Sequence, residues 1–187
     1  MENQERMKKM RKKIFVVNGK PGAGKDTFEN LVLKKVTGIK YSIADPAKTV
    51  LQEIGLWDGK TKDGKTRKLM SDIKIALDEF CDFSFQDVKK YVRDFENDVI
   101  PGSVMFIDMR EKTDIDRAIE EFGATTIYID NKMNPIISNV ADDFASSKDN
   151  YNYDIIIDNS GTINELAAKA SEFATVLINL GGCDETI

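Results

Sequence analysis

The stretch Gly19–Thr27, GKPGAGKDT, constrains the fold of this chain more than any other. It follows a short β-branched run, KKIFVVN, that ends at Asn18, and it precedes Phe28, Leu31, Val32 and Val36 at helical spacing. A buried strand, a glycine-rich turn and an amphipathic helix are thus expected in direct succession. Gly19 and Gly24 bound a G-x-x-x-x-G-K pattern that closes on Lys25, with Lys20, Pro21, Gly22 and Ala23 between them. Glycines permit positive φ and let backbone N–H groups approach an anion with no Cβ in the way. The helix that follows adds its N-terminal amides and dipole, and a lysine in this place reaches the β- and γ-phosphates of a nucleoside triphosphate. The expected ligand is ATP with Mg²⁺. The residue after the lysine, commonly a metal-binding Ser or Thr, is here Asp26, with Thr27 next. Either Asp26 helps hold the metal, directly or through water, or Thr27 or a different residue does.

Beyond the loop, apolar runs alternate with helical periodicity. Ile39–Ile43, Ser103–Asp108, Ala124–Asp130 and Tyr153–Asp158 read as four further strands. Asp45 and Pro46 open a helix through Leu51. Leu56–Thr66 is polar and reads as a loop. Two stripes then follow with no strand between them: Leu69, Ile73, Ala76, Leu77 and Phe80, and, after Ser84 as a cap, Val88, Tyr91, Val92 and Phe95. This break in the alternation marks residues 56–98 as an inserted helical lobe. Ile115, Ala118, Ile119 and Phe122 form another stripe. Residues 131–152 are polar, with a short helix near Val140–Ala145, in the place where a lid could close. Thr162 and Glu165 make a capping-box pair ahead of Ile163, Leu166, Ala170, Phe173 and Leu177. The expected architecture is a single α/β domain: a three-layer P-loop NTPase fold with a five-stranded parallel sheet and a small helical acceptor lobe. Ligands in such sheets sit beyond the carboxyl ends of the strands.

Composition narrows the chemistry. The 187 residues include no histidine, which removes Ser-His-Asp and Cys-His mechanisms and histidine-ligated metals. Cys81 and Cys183, far apart, suit reduced thiols in a cytoplasmic protein. The net charge of −5 offers no general attraction for polymeric nucleic acid or an anionic membrane. No stretch is long and apolar enough to suggest a bilayer span, and the basic residues 1–12 read as a solvated tail. Oligomeric state is not legible here.

At these residues the chain resembles a family. GKPGAGKDT is similar to the loop of nucleoside monophosphate kinases, and its GKDT ending resembles bacteriophage-type deoxynucleoside monophosphate kinases and their phosphomevalonate kinase relatives. KYSIADPAK (Lys40–Lys48), IDMR with Asp108 and Arg110, and YDIIIDNSGTINEL are similar to further patches of that family. The resemblance implies that Lys25 and the loop amides hold the donor phosphates. It implies that Asp108 orients Mg²⁺ or its waters, alongside Asp26 or Thr27, and that Arg110 and Lys48 face the acceptor phosphate. Asn159 to Thr162, Gly161 included, would lie near the donor base, and Arg67 would belong to the acceptor lobe. Arg93 joins the acceptor set through its place on the inserted helices. In this chain Glu111, Lys112 and Thr113 follow the D-x-R element, where the family has Phe-Pro-Asn-Glu. No arginine follows Arg117, so residues 131–152 offer only Lys132 and Lys148 as cations.

The expected activity is transfer of the γ-phosphate of ATP to a small phosphorylated acceptor, a (deoxy)nucleoside monophosphate first. Phosphoryl transfer brings two anions together and needs converging cations more than a strong base. Phosphomevalonate or dephospho-coenzyme A is the alternative acceptor. A nucleotide-binding protein without transferase activity is the reading from a different class.

Overall fold

The computed structural model describes residues 13–60, 63–98, 100, 102–133 and 147–180. Five strands form one parallel sheet: β1 (Lys13–Asn18), β2 (Gly38–Ser42), β3 (Val104–Asp108), β4 (Thr125–Asp130) and β5 (Ile155–Asp158), in the spatial order β2-β3-β1-β4-β5. Each expected strand is present; β2 is shifted one residue toward the N-terminus, and the others start one or two residues later than expected. Among the described residues the helices are α1 (Lys25–Leu33), α2 (Asp45–Glu53), α3 (Gly64–Cys81), α4 (Phe83–Asn97), α5 (Lys112–Phe122) and α6 (Ile163–Asn179). None of them is long and apolar enough to cross a membrane.

β1 is central because it is apolar throughout: Ile14, Phe15, Val16 and Val17 are all buried, as expected of a strand covered on both faces. Alternate residues point to opposite faces. On one face Phe15, Val17, Phe106, Ile127 and Ile129 meet Phe28 and Val32 of α1 and Leu166, Ala170, Ala174 and Leu177 of α6. Phe173 joins edge-on, its ring centroid 5.4 Å from Phe15 and 5.5 Å from Phe28. Each large apolar side chain buried there contributes roughly 1.5–3 kcal/mol. On the other face α5 packs against β1 and β4 through the buried Ile115 and Ala118. The α6 capping box is complete, with Thr162 Oγ1 accepting from Glu165 N–H and Glu165 Oε2 accepting from Thr162 N–H at 2.6 Å.

The chain divides into two compact units, Tyr41–Asn97 and the remainder. The helical unit begins earlier than residue 56, since α2 packs against α3 and belongs with it. Within that unit α3 starts inside the expected loop. Asp63 caps it, its side chain accepting from Thr66 N–H at 2.7 Å. Ser84 does not cap α4: it is buried, and its amide donates to Asp78 Oδ1 at 2.8 Å. Asp78, back on α3, therefore receives the first turn of α4 and fixes the corner where Asp82 adopts φ 54°. Val88, Val92 and Phe95 are buried as the stripe requires, whereas Phe80 is 87% exposed. Val140–Ala145, and the lid as a whole apart from its two ends, lie outside the described residues.

Candidate active site

Parallel pairing sets the site. β1 lies between β3 and β4, with Val17 opposite Asp108 and Asn18 opposite Tyr128, so the carboxyl ends of three strands open at one edge. The glycine-rich loop leaves β1 at this edge. Gly19, Gly22 and Gly24 take φ of 144°, 76° and 97°. The Ala23 amide donates to Lys20 carbonyl at 3.0 Å, closing the turn before α1 begins.

The loop is braced from three sides. Asn18 is fully buried; its side-chain Oδ1 accepts from Gly19 N–H at 2.7 Å, and its Nδ2 donates to the Tyr153 hydroxyl at 2.8 Å. Lys25 Nζ donates back to Gly19 carbonyl at 3.0 Å. Asn159, which follows β5, donates from Nδ2 to Ala23 carbonyl at 2.8 Å, and its own amide donates to Asp130 carbonyl at 2.6 Å. Asn159 thus holds the loop backbone, a task distinct from the donor-base contact the resemblance implies for it. Gly161 and Ser160 lie in the short turn that leads into α6.

Charge is concentrated around Lys25. Burial lowers its pKa; Asp108 opposes that shift, and Arg110 adds to it. Asp108 and Arg110 therefore act on Lys25 from the end of β3. Two residues that no motif singles out complete the cluster, Glu29 on α1 and Lys40 on β2. Lys40 Nζ lies 2.7 Å from Asp26 Oδ1 and 3.9 Å from Glu29 Oε2. Burial disfavours charge on Lys40, but the Asp26 hydrogen bond and the carboxylates nearby outweigh it, and its pKa is raised. One oxygen from each of Asp26, Glu29 and Asp108 lies within 4.8 Å of the others. Thr27 is exposed on the first turn of α1. The spacing of Asp26 and Glu29, three apart on a helix, was the available signal for their common face. Lys40 carried no such signal, because strand order alone brings it near α1.

Glu29 is 1% exposed, and neither of its carboxylate oxygens accepts a hydrogen bond. Burial, reinforced by Asp108, raises its pKa from 4.5 to about 8. The folded protein therefore holds a proton that the unfolded chain releases across that interval. The stability contributed by the neutral acid is full below pH 4.5 and is lost as pH rises to about 8. Glu29→Gln keeps the neutral shape at every pH. In chelator-treated buffer its melting temperature should gain on the parent's from pH 5 to pH 8; a gap that stays constant with pH would remove Glu29 as the titrating group.

Of the expected acceptor residues, Arg110 follows β3, while Lys48, Arg67 and Arg93 belong to the helical unit and lie on three different helices. Lys48 of α2 pairs with Asp45 at 2.6 Å. Arg67 is half-buried on α3, and Arg93 is exposed on α4. In the same unit Tyr41 is buried, donates its hydroxyl to Asp87 and stacks on the half-exposed Tyr91 at 4.2 Å.

Sheet order, the loop between β1 and α1, and the lysine that closes it define an α/β protein of P-loop type. No family model matches the sequence, and no curated protein matches it.

Proposed function

We propose that this protein is a cytoplasmic small-molecule kinase that transfers the γ-phosphate of ATP to a phosphorylated acceptor, most simply a (deoxy)nucleoside monophosphate. The observation that carries the reading is the placing of Lys25. Its ammonium sits at the head of α1, 3.0 Å from Gly19 carbonyl, with Asp108 and Arg110 acting on it from the adjacent strand end. A charged lysine lowered in pKa by burial is poised to gain a strong anionic partner. The loop amides and the start of the α1 dipole favour the same anion. Kinship with phage-type deoxynucleoside monophosphate kinases belongs to this proposal.

Lys25 and the loop would hold the donor phosphates, and Arg110 would counter charge that develops as the phosphoryl group moves. Asp26 and Asp108 supply hard oxygen ligands that suit Mg²⁺, and Thr27 adds a hydroxyl one residue on. When bound, the ion would neutralise phosphate charge and fix the donor's geometry. Catalysis by positioning and neutralisation needs no histidine. The Tyr41–Tyr91 stack favours an acceptor with a base, because it puts a half-exposed aromatic ring on the unit that carries Lys48, Arg67 and Arg93.

A second reading, nucleotide binding without transfer, is favoured by one feature: no arginine follows Arg117 to serve a closing lid. ADP formation from ATP and Mg²⁺ should be measured across a panel of nucleoside and deoxynucleoside monophosphates, with phosphomevalonate and dephospho-coenzyme A included. Acceptor-dependent ADP with a nucleotide is the expected result. Turnover confined to a metabolite changes the acceptor, and tight ATP binding without turnover on any acceptor leaves the binding role.

A further inference from the structure

We infer that Glu29, with Asp26 and Asp108, forms an all-carboxylate divalent-cation site that binds its ion before any nucleotide arrives. The three ligand oxygens lie within 4.8 Å of one another, two from one face of α1 and one from the end of β3. Opposed oxygens on an octahedral Mg²⁺ stand roughly 4.1 Å apart, and on Ca²⁺ roughly 4.6–5.2 Å, from bond lengths of about 2.0–2.1 and 2.3–2.6 Å. Neighbouring oxygens on such ions lie closer still, so the trio would draw inward to ligate a hard divalent ion.

The second observation is Glu29 itself. It is 1% exposed, one of its oxygens belongs to the cluster, and neither oxygen accepts a hydrogen bond. A carboxylate buried in this way is costly unless a cation or donor satisfies it. Lys40 meets Asp26 at 2.7 Å but stands 3.9 Å from Glu29, beyond hydrogen-bond reach. A dipositive ion among the three oxygens would satisfy the Glu29 carboxylate.

Mg²⁺ at phosphate-transfer sites is ordinarily held by one or two carboxylates together with substrate phosphates. A third carboxylate, buried within the protein, shifts that balance and lets the ion bind without phosphate. The ion's role in transfer rests on the kinase reading; its binding does not.

The test uses Mn²⁺ as the probe, titrated into metal-stripped full-length protein at pH 8 without nucleotide and followed by electron paramagnetic resonance. One Mn²⁺ should bind, displaceable by Mg²⁺, and Glu29→Gln should weaken it by at least about tenfold. Glu29→Asp, which keeps the charge on a shorter arm, should fall between. If neither variant folds, Mn²⁺ should still raise the parent's melting temperature in the absence of nucleotide. Absence of a stoichiometric site, or equal affinity in parent and Glu29→Gln, overturns the inference and leaves Lys25 and Lys40 as the counter-ions of the trio. ATP turnover in a protein without that site would sink the inference and spare the kinase; Mn²⁺ binding in a protein without turnover would do the reverse.

Discussion

Lys25→Ala should reduce acceptor-dependent ADP formation by about 100- to 1,000-fold in kcat/KM, equivalent to about 3–4 kcal/mol of transition-state stabilisation. Of the two lysines in the loop, Lys25 is the one whose ammonium turns back to donate to Gly19 carbonyl, which places it inside the loop. Arg110 stands on a different element and cannot move into that position. Lys25→Arg should not restore activity, because a planar guanidinium is bulkier than an ammonium and presents its donors in a fixed fork. The core formed by Phe28, Val32 and Leu166 does not include Lys25, so the far-UV circular dichroism spectrum should persist. Steady-state rates on the parent and both variants, with the spectra as control, decide the matter. Activity retained within threefold would remove Lys25 from the transfer step.

Gly19→Ala should unfold the loop's support and not merely weaken its ligand. A Cβ there would lie 2.6 Å from Ile129 carbonyl oxygen, and the residue holds φ 144°, which side chains rarely adopt. The obstruction is backbone of β4, paired on both sides within the sheet, so it cannot give way cheaply. Strain and overpacking together cost about 2–4 kcal/mol. For a chain of this size that lowers the melting temperature by about 5–15 °C. Gly24→Ala would collide at 2.3 Å with Asn159 Nδ2, a side-chain atom that can swing aside. Its thermal penalty should therefore be the smaller of the two. Thermal melts of both variants test this ranking, and an unshifted Gly19→Ala melt would refute the close approach to β4.

These contrasts also show what the sequence could reveal. β1, β3 and β4 were legible as apolar runs that the sheet buries on both faces, whereas β2 and β5, at the sheet edges, are only partly buried and were legible from their place in the alternation with helices. α1 and α6 were legible because their stripes face one core. α3 was half legible: Ile73 and Leu77 are partly buried, while the Asp63 cap places the helix start inside a glycine-containing polar stretch. Asp78 as receiver of the Ser84 amide could not be read, since the corner at Asp82 decides which polar group turns inward. In the site, Lys25 was legible from the loop pattern, and Asp108 and Arg110 were singled out by the resemblance of the IDMR stretch. Glu29 hid between apolar positions, in a helix register that marks it as core, and its neighbours became visible only with the sheet order.

Asn18 carries one more consequence. Its two polar atoms are both committed, one to the first amide of the phosphate loop and the other to Tyr153, on the approach to β5. Tyr153 in turn lies against Tyr128 at 4.9 Å and Tyr151 at 5.1 Å, and the Tyr151 hydroxyl donates to Asp116 on α5. The turn that would receive phosphate and the point where the chain re-enters the sheet after residues 131–152 are thus joined by a single buried amide. Thermodynamic linkage makes such a joint reciprocal: an anion that tightens Gly19 tightens the re-entry point, and whatever loosens that point is felt as lost affinity at the loop.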